Sequence, residues 1–247
     1  LAPGWANAPI EGGGDDYQAD QTASVVAFLA AYRRRLADGT LATADAPPID
    51  ALDDALAAGV GALDDWLGDD GLPVACQNAW EDMTGRFTHT AATYLQAYAS
   101  VARAPVGDLA DHAEQRTREV FDGLDALWSP EREAYGLRLV DGELDARFDS
   151  SSFALVEAHR TAAELGVVTD DRLDRLASHT EHTVAGLARR TDDVYGLVRY
   201  EGDDWRAREQ DDPKVWTVAT AWGAHAAAEL AGLFDAEDRA GGERFLA

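Results

Sequence analysis

The chain has 247 residues, of which 46% are hydrophobic, and its formal net charge is −25 at pH 7. This length and apolar content predict one large globular domain over residues 1–247. The acidic excess argues against nucleic-acid binding, which needs a basic surface. No apolar run approaches the roughly 20 residues that span a bilayer, so we expect no membrane partner either.

The acidic residues are spread along the whole chain, whereas an interaction tail would concentrate them. Lys214 is the only lysine among the 21 basic residues. An acidic, hydrated surface suits high salt, because screening removes the repulsion between carboxylates. The composition resembles that of proteins from extreme halophiles, and we take a cytoplasmic location as the working prediction.

The cysteine and the histidines of the chain do not form a recognised metal-binding motif. Cys76 is the only cysteine, so the chain has no internal disulfide and no thiolate metal site. His179 and His182 are three positions apart on a predicted helix, but no third ligand follows at a recognised spacing. We predict a polar helix surface for this pair, and neither a metal nor a cofactor for the protein.

In chain order, apolar residues recur at helical spacing in seven segments. The predicted helices cover residues 20–35, 50–67, 87–103, 108–128, 151–165, 170–190 and 216–233. The apolar stripe of the first helix consists of Val25, Phe28, Leu29, Tyr32 and Leu36. Residues 135–140, followed by Asp141-Gly142, have the form of a small hairpin. The predicted fold class is therefore all-α.

The longest connections between these helices follow Leu67, Trp128 and Arg190, and they are alternate connections. Because neighbouring antiparallel helices alternate in direction, every second connection emerges at the same end of a bundle. Long ordered loops collected at one end are where a site is expected. This end would carry Tyr17, Gln18, Asp20, Trp80, Glu81, Asp82, Asp149, Arg199, Tyr200, Trp205 and Trp216.

The loop over residues 71–85 carries the triplet Trp80-Glu81-Asp82 ahead of a helix. A carboxyl beside an indole tends to stay protonated, and such a glutamate can act as a general acid. A carboxylate that caps the following helix is the alternative.

The aromatic residues at the same predicted end point to sugars. The C–H faces of pyranose rings stack on aromatic side chains, and sugar hydroxyls take charged hydrogen-bond partners. For each tryptophan, packing in the core is the alternative.

Four segments follow one another along the chain in an informative order. They are Tyr17-Gln18-Ala19-Asp20, Leu72-Pro73 through Trp80-Glu81-Asp82 to Gly85, Asp149-Ser150-Ser151, and Val198 to Trp205 followed by Trp216-Thr217. In this order they resemble the Gln-x-Asp, Leu-Pro … Asp-Leu-Trp-Glu-Glu … Gly, Asp-x-Ser and Arg-Tyr … Pro-Trp segments of glycoside hydrolase family 15, the glucoamylase-type glycosidases. The resemblance implies that family's fold, an (α/α)6 barrel, which is a toroid of helical hairpins with alternating inner and outer helices.

The resemblance also implies roles for individual residues. Glu81 would be the general acid that protonates the glycosidic oxygen. Asp20 and Trp80 would shape the pocket for the sugar at the non-reducing end. Arg199 would bind sugar hydroxyls, and Trp205 would replace a family tyrosine. The remaining implied substrate-binding residues are Tyr17, Asp82, Tyr200 and Trp216.

The chain departs from the family pattern at several positions. Asn78-Ala79 replaces the family's Asp-Leu, Asp82 replaces a glutamate, and Val215 replaces the proline before Trp216. The family's early Arg-Asp pair and its general base, a later glutamate, have no counterpart in residues 1–247. The resemblance therefore implies the central part of an incomplete barrel, with the base supplied by sequence outside it.

This resemblance implies an inverting, exo-acting glycoside hydrolase that releases glucose from the non-reducing end of α-glucans or α-glucosides. Its partner would be an oligosaccharide or polysaccharide, and no cofactor would be needed. Two alternatives stay open. One is a non-catalytic carbohydrate-binding or regulatory relative of the same barrel, and the other is a trehalase-type enzyme.

Overall fold

A computed structural model describes residues 18–41, 47–191, 193–204, 214–237 and 239–246. Within these ranges the chain is predominantly helical, with seven α-helices that correspond to the seven predicted segments. They are α1 (Ala19–Ala37), α2 (Ile49–Asp65), α3 (Thr88–Ala102), α4 (Asp108–Gly123), α5 (Ala154–Ala163), α6 (Asp170–Leu187) and α7 (Thr217–Ala236). None of these helices has the length and hydropathy needed to cross a membrane.

The contacts of the chain group into two compact units. Among the described residues, unit 1 comprises 18–41, 47–125 and 161–167, and unit 2 comprises 126–160, 168–191, 193–204, 214–237 and 239–246. Helices α1 to α4 therefore belong to unit 1, and α6 and α7 belong to unit 2. The prediction of a single domain over residues 1–247 stays a prediction.

In unit 1, α1 and α3 pack side by side and run in the same direction. At the start of the two helices, Asp20 Oδ2 lies 3.4 Å from His89 Nε2. Near their ends, Arg33 Nη2 donates to the carbonyl of Pro105 at 3.3 Å, just after α3. The N-terminal ends of α1 and α3 are in contact, and so are their C-terminal ends, so the two helices are parallel neighbours.

The buried face of α1 is its alanine face. Ala19, Ala23 and Ala30 are fully buried, whereas Val25 and Phe28 are 57% and 66% exposed. Helix α3 likewise buries Ala91, Ala92 and Ala99. The apolar stripe of the sequence is therefore not the face that packs, since small side chains allow two helices to approach closely and decide the contact.

Helices α2 and α4 follow α1 and α3 as their antiparallel partners. Arg33, near the end of α1, forms an ion pair with Asp53, near the start of α2, at 2.7 Å. Asp64, at the end of α2, accepts hydrogen bonds from the Tyr98 hydroxyl at 2.9 Å and from Arg116 Nε at 3.0 Å. Burial and the charge of Asp64 hold the pKa of Tyr98 far above its ordinary value, so the phenol remains a donor.

The connection between α2 and α3 contains a hairpin that the sequence did not predict. Strands β1 (Cys76–Gln77) and β2 (Thr84–Phe87) pair antiparallel, with Cys76 opposite Gly85. Arg86 Nε donates to the carbonyl of Pro73 at 2.9 Å and Nη1 to Asp70 Oδ2 at 2.7 Å, which anchors the preceding loop. Strands of two and four residues are too short to leave a clear alternating pattern.

Gly71 sets the close approach of this loop to α4. Its φ is +78°, and a Cβ atom at this position would lie 2.1 Å from the carbonyl oxygen of Glu119. Only glycine fits such a contact, so the loop that leads into the hairpin is held tightly against the end of α4.

Unit 2 contains three short antiparallel strand pairs among its described residues. They are β3 (Trp128–Ser129) with β4 (Ala134–Tyr135), β5 (Arg138–Val140) with β6 (Glu143–Asp145), and β7 (Ala188–Arg190) with β8 (Tyr195–Leu197). Asp141-Gly142, both with positive φ, turn the chain between β5 and β6 and confirm the predicted hairpin. The pair β7–β8 was missed, because its first strand was assigned to the preceding helix.

Two distant segments of unit 2 lie next to each other. Asp149 and Tyr200 form an antiparallel bridge. The Ser150 N–H donates to the carbonyl of Arg199 at 2.8 Å, and the Glu201 N–H donates to that of Phe148 at 2.9 Å. Two of the predicted site segments are thereby neighbours in space.

Candidate functional site

The predicted site residues form two groups, one in each unit. Unit 1 contains Asp20, Trp80, Glu81 and Asp82, and unit 2 contains Asp149, Arg199, Tyr200 and Trp216. Tyr17 and Trp205 lie outside the described residues. The prediction that both groups meet at one end of a helical ring stays a prediction.

In unit 1, residues 78–83 connect β1 to β2, and we call this segment the acid loop. The Asn78 N–H donates to the carbonyl of Met83, and the Glu81 N–H donates to the carbonyl of Asn78, both at 3.0 Å. The side chain of Asn78 closes the loop further, because its Oδ1 accepts from the N–H groups of Asp82 at 3.0 Å and Met83 at 3.2 Å. The loop is therefore an ordered turn with Trp80-Glu81-Asp82 at its tip.

Glu81 has an unusual backbone conformation. Its φ of +60° makes it one of three residues other than glycine with positive φ in the described part of the chain. Such residues are uncommon, and they concentrate at functional sites. Its side chain is exposed rather than enclosed by apolar groups, while that of Trp80 is half-buried.

Asp20 is the buried carboxylate of unit 1. The residue is 9% exposed, and Oδ1 has no hydrogen-bond partner among the described residues. Gln18, two positions earlier, donates to the carbonyl of Asn78 at 3.1 Å and so joins the start of α1 to the acid loop. A buried carboxylate oxygen without a donor is rare, and a ligand hydroxyl can satisfy it.

Cys76, in β1, lies in the same neighbourhood. Burial raises the pKa of its thiol, and the charge of Asp20 acts in the same direction. A buried thiol of raised pKa is typical of a small packing residue.

In unit 2, Arg199 is the centre of a buried polar cluster. It is 4% exposed, and its Nε and Nη2 donate to the two carboxylate oxygens of Asp203 at 2.8 and 2.6 Å. The guanidinium carbon lies 4.9 Å from the ring centroid of Trp216 and 5.2 Å from that of Tyr200. The sequence predicts Arg199, Tyr200 and Trp216 at one site, but it does not predict Asp203 as the partner of the arginine.

Asp149 acts as a helix cap. Its Oδ1 accepts from the N–H of Ser151 at 3.0 Å, and its Oδ2 accepts from the Ser151 hydroxyl. These bonds begin the 3-10 turn of residues 150–153, which leads into α5. Beside this cap, the buried hydroxyl of Ser150 has no hydrogen-bond partner among the described residues.

His179 is buried, which corrects the prediction of a polar helix surface for this residue. Its Nδ1 accepts from the Tyr135 N–H at 3.2 Å, so in the neutral ring Nε2 carries the proton and donates to Ser152 Oγ at 3.0 Å. Ser152 Oγ in turn donates to the carbonyl of Asp149 at 2.5 Å. Burial lowers the pKa of His179 to about 3, so the imidazole is neutral and braces the Asp149 turn.

No cluster of three or more histidine, cysteine or acidic side chains in the described ranges is arranged to hold a metal ion. We found no family model, no curated protein and no solved structure that matches this chain.

Proposed function

We propose that these helices belong to an (α/α)6-type toroid and that the protein is an inverting glycoside hydrolase releasing glucose from the non-reducing end of α-glucans or α-glucosides. The observation that carries the proposal is the parallel pairing of α1 and α3. Each is followed by an antiparallel partner, and a hairpin with Trp80-Glu81-Asp82 at its tip adjoins their common start. Inner helices of such a toroid run parallel in this way.

The chemistry at the start of α1 and α3 supports a sugar ligand. The unpartnered Oδ1 of Asp20 can accept a hydrogen bond from a sugar hydroxyl. Glu81 is exposed at the tip of an ordered loop, so its carboxyl is accessible to a ligand. Proton donation to that oxygen by Glu81 is the first half of an inverting reaction.

The second half of the reaction needs another carboxylate to activate water, at roughly 6.5–9.5 Å from the acid. In the family that the sequence resembles, this base is a glutamate later in the chain than the Arg-Tyr segment. In unit 2, the rings of Tyr200 and Trp216 around Arg199 are of the type on which pyranose rings stack. We assign these residues to sugar binding.

One observation favours a second candidate function, a non-catalytic carbohydrate-binding relative. Asp82, which stands where the family has a glutamate, accepts a hydrogen bond from Asn78 Nδ2 at 3.0 Å. Glu81 is exposed, whereas a general acid is usually kept protonated by an apolar environment. Both features are compatible with a barrel that retained sugar binding and lost the chemistry.

Product analysis separates these functions. The protein is incubated with maltose, dextran and trehalose, and the anomer of the released glucose is followed by NMR before it equilibrates. We expect β-glucose from maltose, because inversion converts the α-linkage. Binding of maltotriose without any product supports the non-catalytic relative, and cleavage of trehalose alone supports a trehalase-type enzyme. If the protein does not bind any of these sugars and does not cleave any of them, the proposal is contradicted.

A further inference from the structure

Asn78 is almost fully buried, at 2% exposed, at the base of the acid loop. Its side-chain oxygen accepts two hydrogen bonds, from the N–H groups of Asp82 and Met83. Its side-chain nitrogen donates to Asp82 Oδ1 at 3.0 Å. A single amide therefore holds the backbone of the loop and the carboxylate at its tip.

Only an amide can make both kinds of contact at this position. An aspartate would retain the acceptor for the two N–H groups, but it would place a second carboxylate against that of Asp82. Two carboxylates at hydrogen-bond distance repel each other unless one of them is protonated. The sequence difference between asparagine here and the aspartate of the resembled family therefore has a physical consequence.

The hydrogen bonds of Asn78 enclose Glu81 on both sides. The Glu81 N–H donates to the carbonyl of Asn78, and the N–H of the next residue donates to the Asn78 side chain. Glu81 adopts a positive φ between these two bonds. This conformation is unfavourable for a residue with a Cβ atom, so it persists because the surrounding bonds impose it.

We propose that Asn78 is a positioning residue for Glu81. The hydrogen bond from Asn78 Nδ2 to Asp82 Oδ1 fixes the acid loop in the conformation in which Glu81 is exposed at its tip. This inference rests on the proposed function for the role of Glu81. Gln18 supports the same arrangement, because it donates to the carbonyl of Asn78 from the start of α1.

The test compares three variants with the wild type. Asn78→Asp keeps the acceptor and removes the donor, whereas Asn78→Asp combined with Asp82→Asn restores one donor and one acceptor in the reverse direction. Gln96→Glu, at a partly buried amide of α3, adds the same negative charge outside the loop. For each variant, amide hydrogen exchange is measured at Glu81, Asp82 and Met83, together with the pH profile of kcat/KM on maltose.

We expect Asn78→Asp to accelerate exchange at the three amides about tenfold at neutral pH, because a partly buried hydrogen bond is replaced by repulsion. Its kcat/KM should fall at neutral pH and recover partly at acid pH, where a protonated carboxyl can donate again. The double variant should restore wild-type exchange at every pH, and Gln96→Glu should match the wild type in both exchange and kcat/KM.

The proposal is overturned if Asn78→Asp shows wild-type exchange at the three amides. It is also overturned if adding Asp82→Asn to Asn78→Asp does not return exchange to the wild-type rate. If Asn78→Asp does not fold, a folded double variant with wild-type exchange supports the proposal, whereas loss of the fold in both overturns it. A wild type that cleaves no sugar contradicts the proposed function alone, since exchange at the loop is measured without substrate.

Discussion

The acid loop of unit 1 and the Arg199 cluster of unit 2 hold charged side chains in opposite ways. Glu81 and Asp82 are exposed, and the amide of Asn78 fixes the backbone beneath them. Arg199 and Asp203 are paired inside the protein, with side chains only 4% and 7% exposed. In the loop the backbone is constrained while the carboxylates remain in water, whereas in the cluster the charges themselves are removed from water.

This difference indicates that the carboxylates of the acid loop contribute to function and that the Arg199–Asp203 pair contributes to stability. Solvated carboxylates on an ordered loop add little to stability, so substitutions there should change function and leave folding intact. A buried ion pair has lost its hydration, and removing one partner leaves the other without compensation. The two regions should therefore respond in opposite ways to substitution.

The largest expected effect is that of Arg199→Met. Removing the guanidinium leaves the Asp203 carboxylate buried without its bidentate partner, so we expect the free energy of unfolding to fall by about 3–5 kcal/mol. Urea unfolding measures this loss. The matched control is Arg118→Met, which breaks the exposed pair with Glu114 and should change stability by about 0–1 kcal/mol. Equal effects of the two substitutions would contradict the comparison.

The next effect concerns the support of the acid loop. Gly71→Ala adds a Cβ atom 2.1 Å from the Glu119 carbonyl oxygen at a φ of +78°, and we expect a loss of more than about 2 kcal/mol. Gly142→Ala is the control, because its φ is +82° but nothing lies within 4 Å of the added atom. It should lose about 1 kcal/mol for the conformation alone. If Gly71→Ala lowers the free energy of unfolding no more than Gly142→Ala does, the close packing of Gly71 against α4 is contradicted.

The buried histidines of unit 2 make stability depend on pH. Burial lowers the pKa of His179 to about 3 and that of His159 to about 4, from 6.5. Below pH 6.5 the unfolded chain binds protons that the folded chain does not, so the stabilisation from neutral histidine is complete above pH 6.5 and is lost as the pH falls.

His179→Gln removes one of these groups. Between about pH 4 and 6, the slope of unfolding free energy against pH should become shallower by about 1.4 kcal/mol per pH unit. Urea unfolding at several pH values measures the slope. An unchanged slope would show that His179 is not buried in its neutral form.

The smallest expected effect per residue is the change in stability that salt produces by screening the exposed Asp and Glu carboxylates. Because screening shortens the range of charge repulsion to about 3 Å at 1 M salt, the melting temperature of the wild type should rise by several degrees in molar KCl. The loss caused by Arg199→Met should be the same at low and high salt, since a buried pair is poorly screened. A melting temperature that does not respond to KCl would contradict the predicted adaptation to salt.

The helices of both units could be predicted from the sequence, because apolar residues recur at helical spacing and report on local structure. The face that packs could not be predicted for α1. Phe28 is more hydrophobic than Ala23, yet Ala23 is buried and Phe28 is exposed. The close parallel neighbour, which comes from a segment more than 50 residues later, selects the small side chains.

The candidate site was predictable only as a set of residue types. The sequence indicated that Trp80-Glu81-Asp82 and Arg199-Tyr200 belong to loops. The hydrogen bonds that hold these loops in place, however, come from residues distant in sequence. Gln18 meets Asn78 across 60 positions, and Ser152 meets His179 across 27. No local pattern reports such contacts, which explains why the buried state of His179 was missed.

The most direct test of the central claim is the hydrolysis of maltose by Glu81→Gln, with maltotriose binding measured by calorimetry on the same preparation. Glu133→Gln is the matched control, because Glu133 is also exposed and also has positive φ. We predict that Glu81→Gln loses hydrolysis, keeps binding, and changes unfolding free energy by no more than about 0.5 kcal/mol, while Glu133→Gln behaves as the wild type. Undiminished hydrolysis by Glu81→Gln would contradict the assignment of Glu81 as the acid.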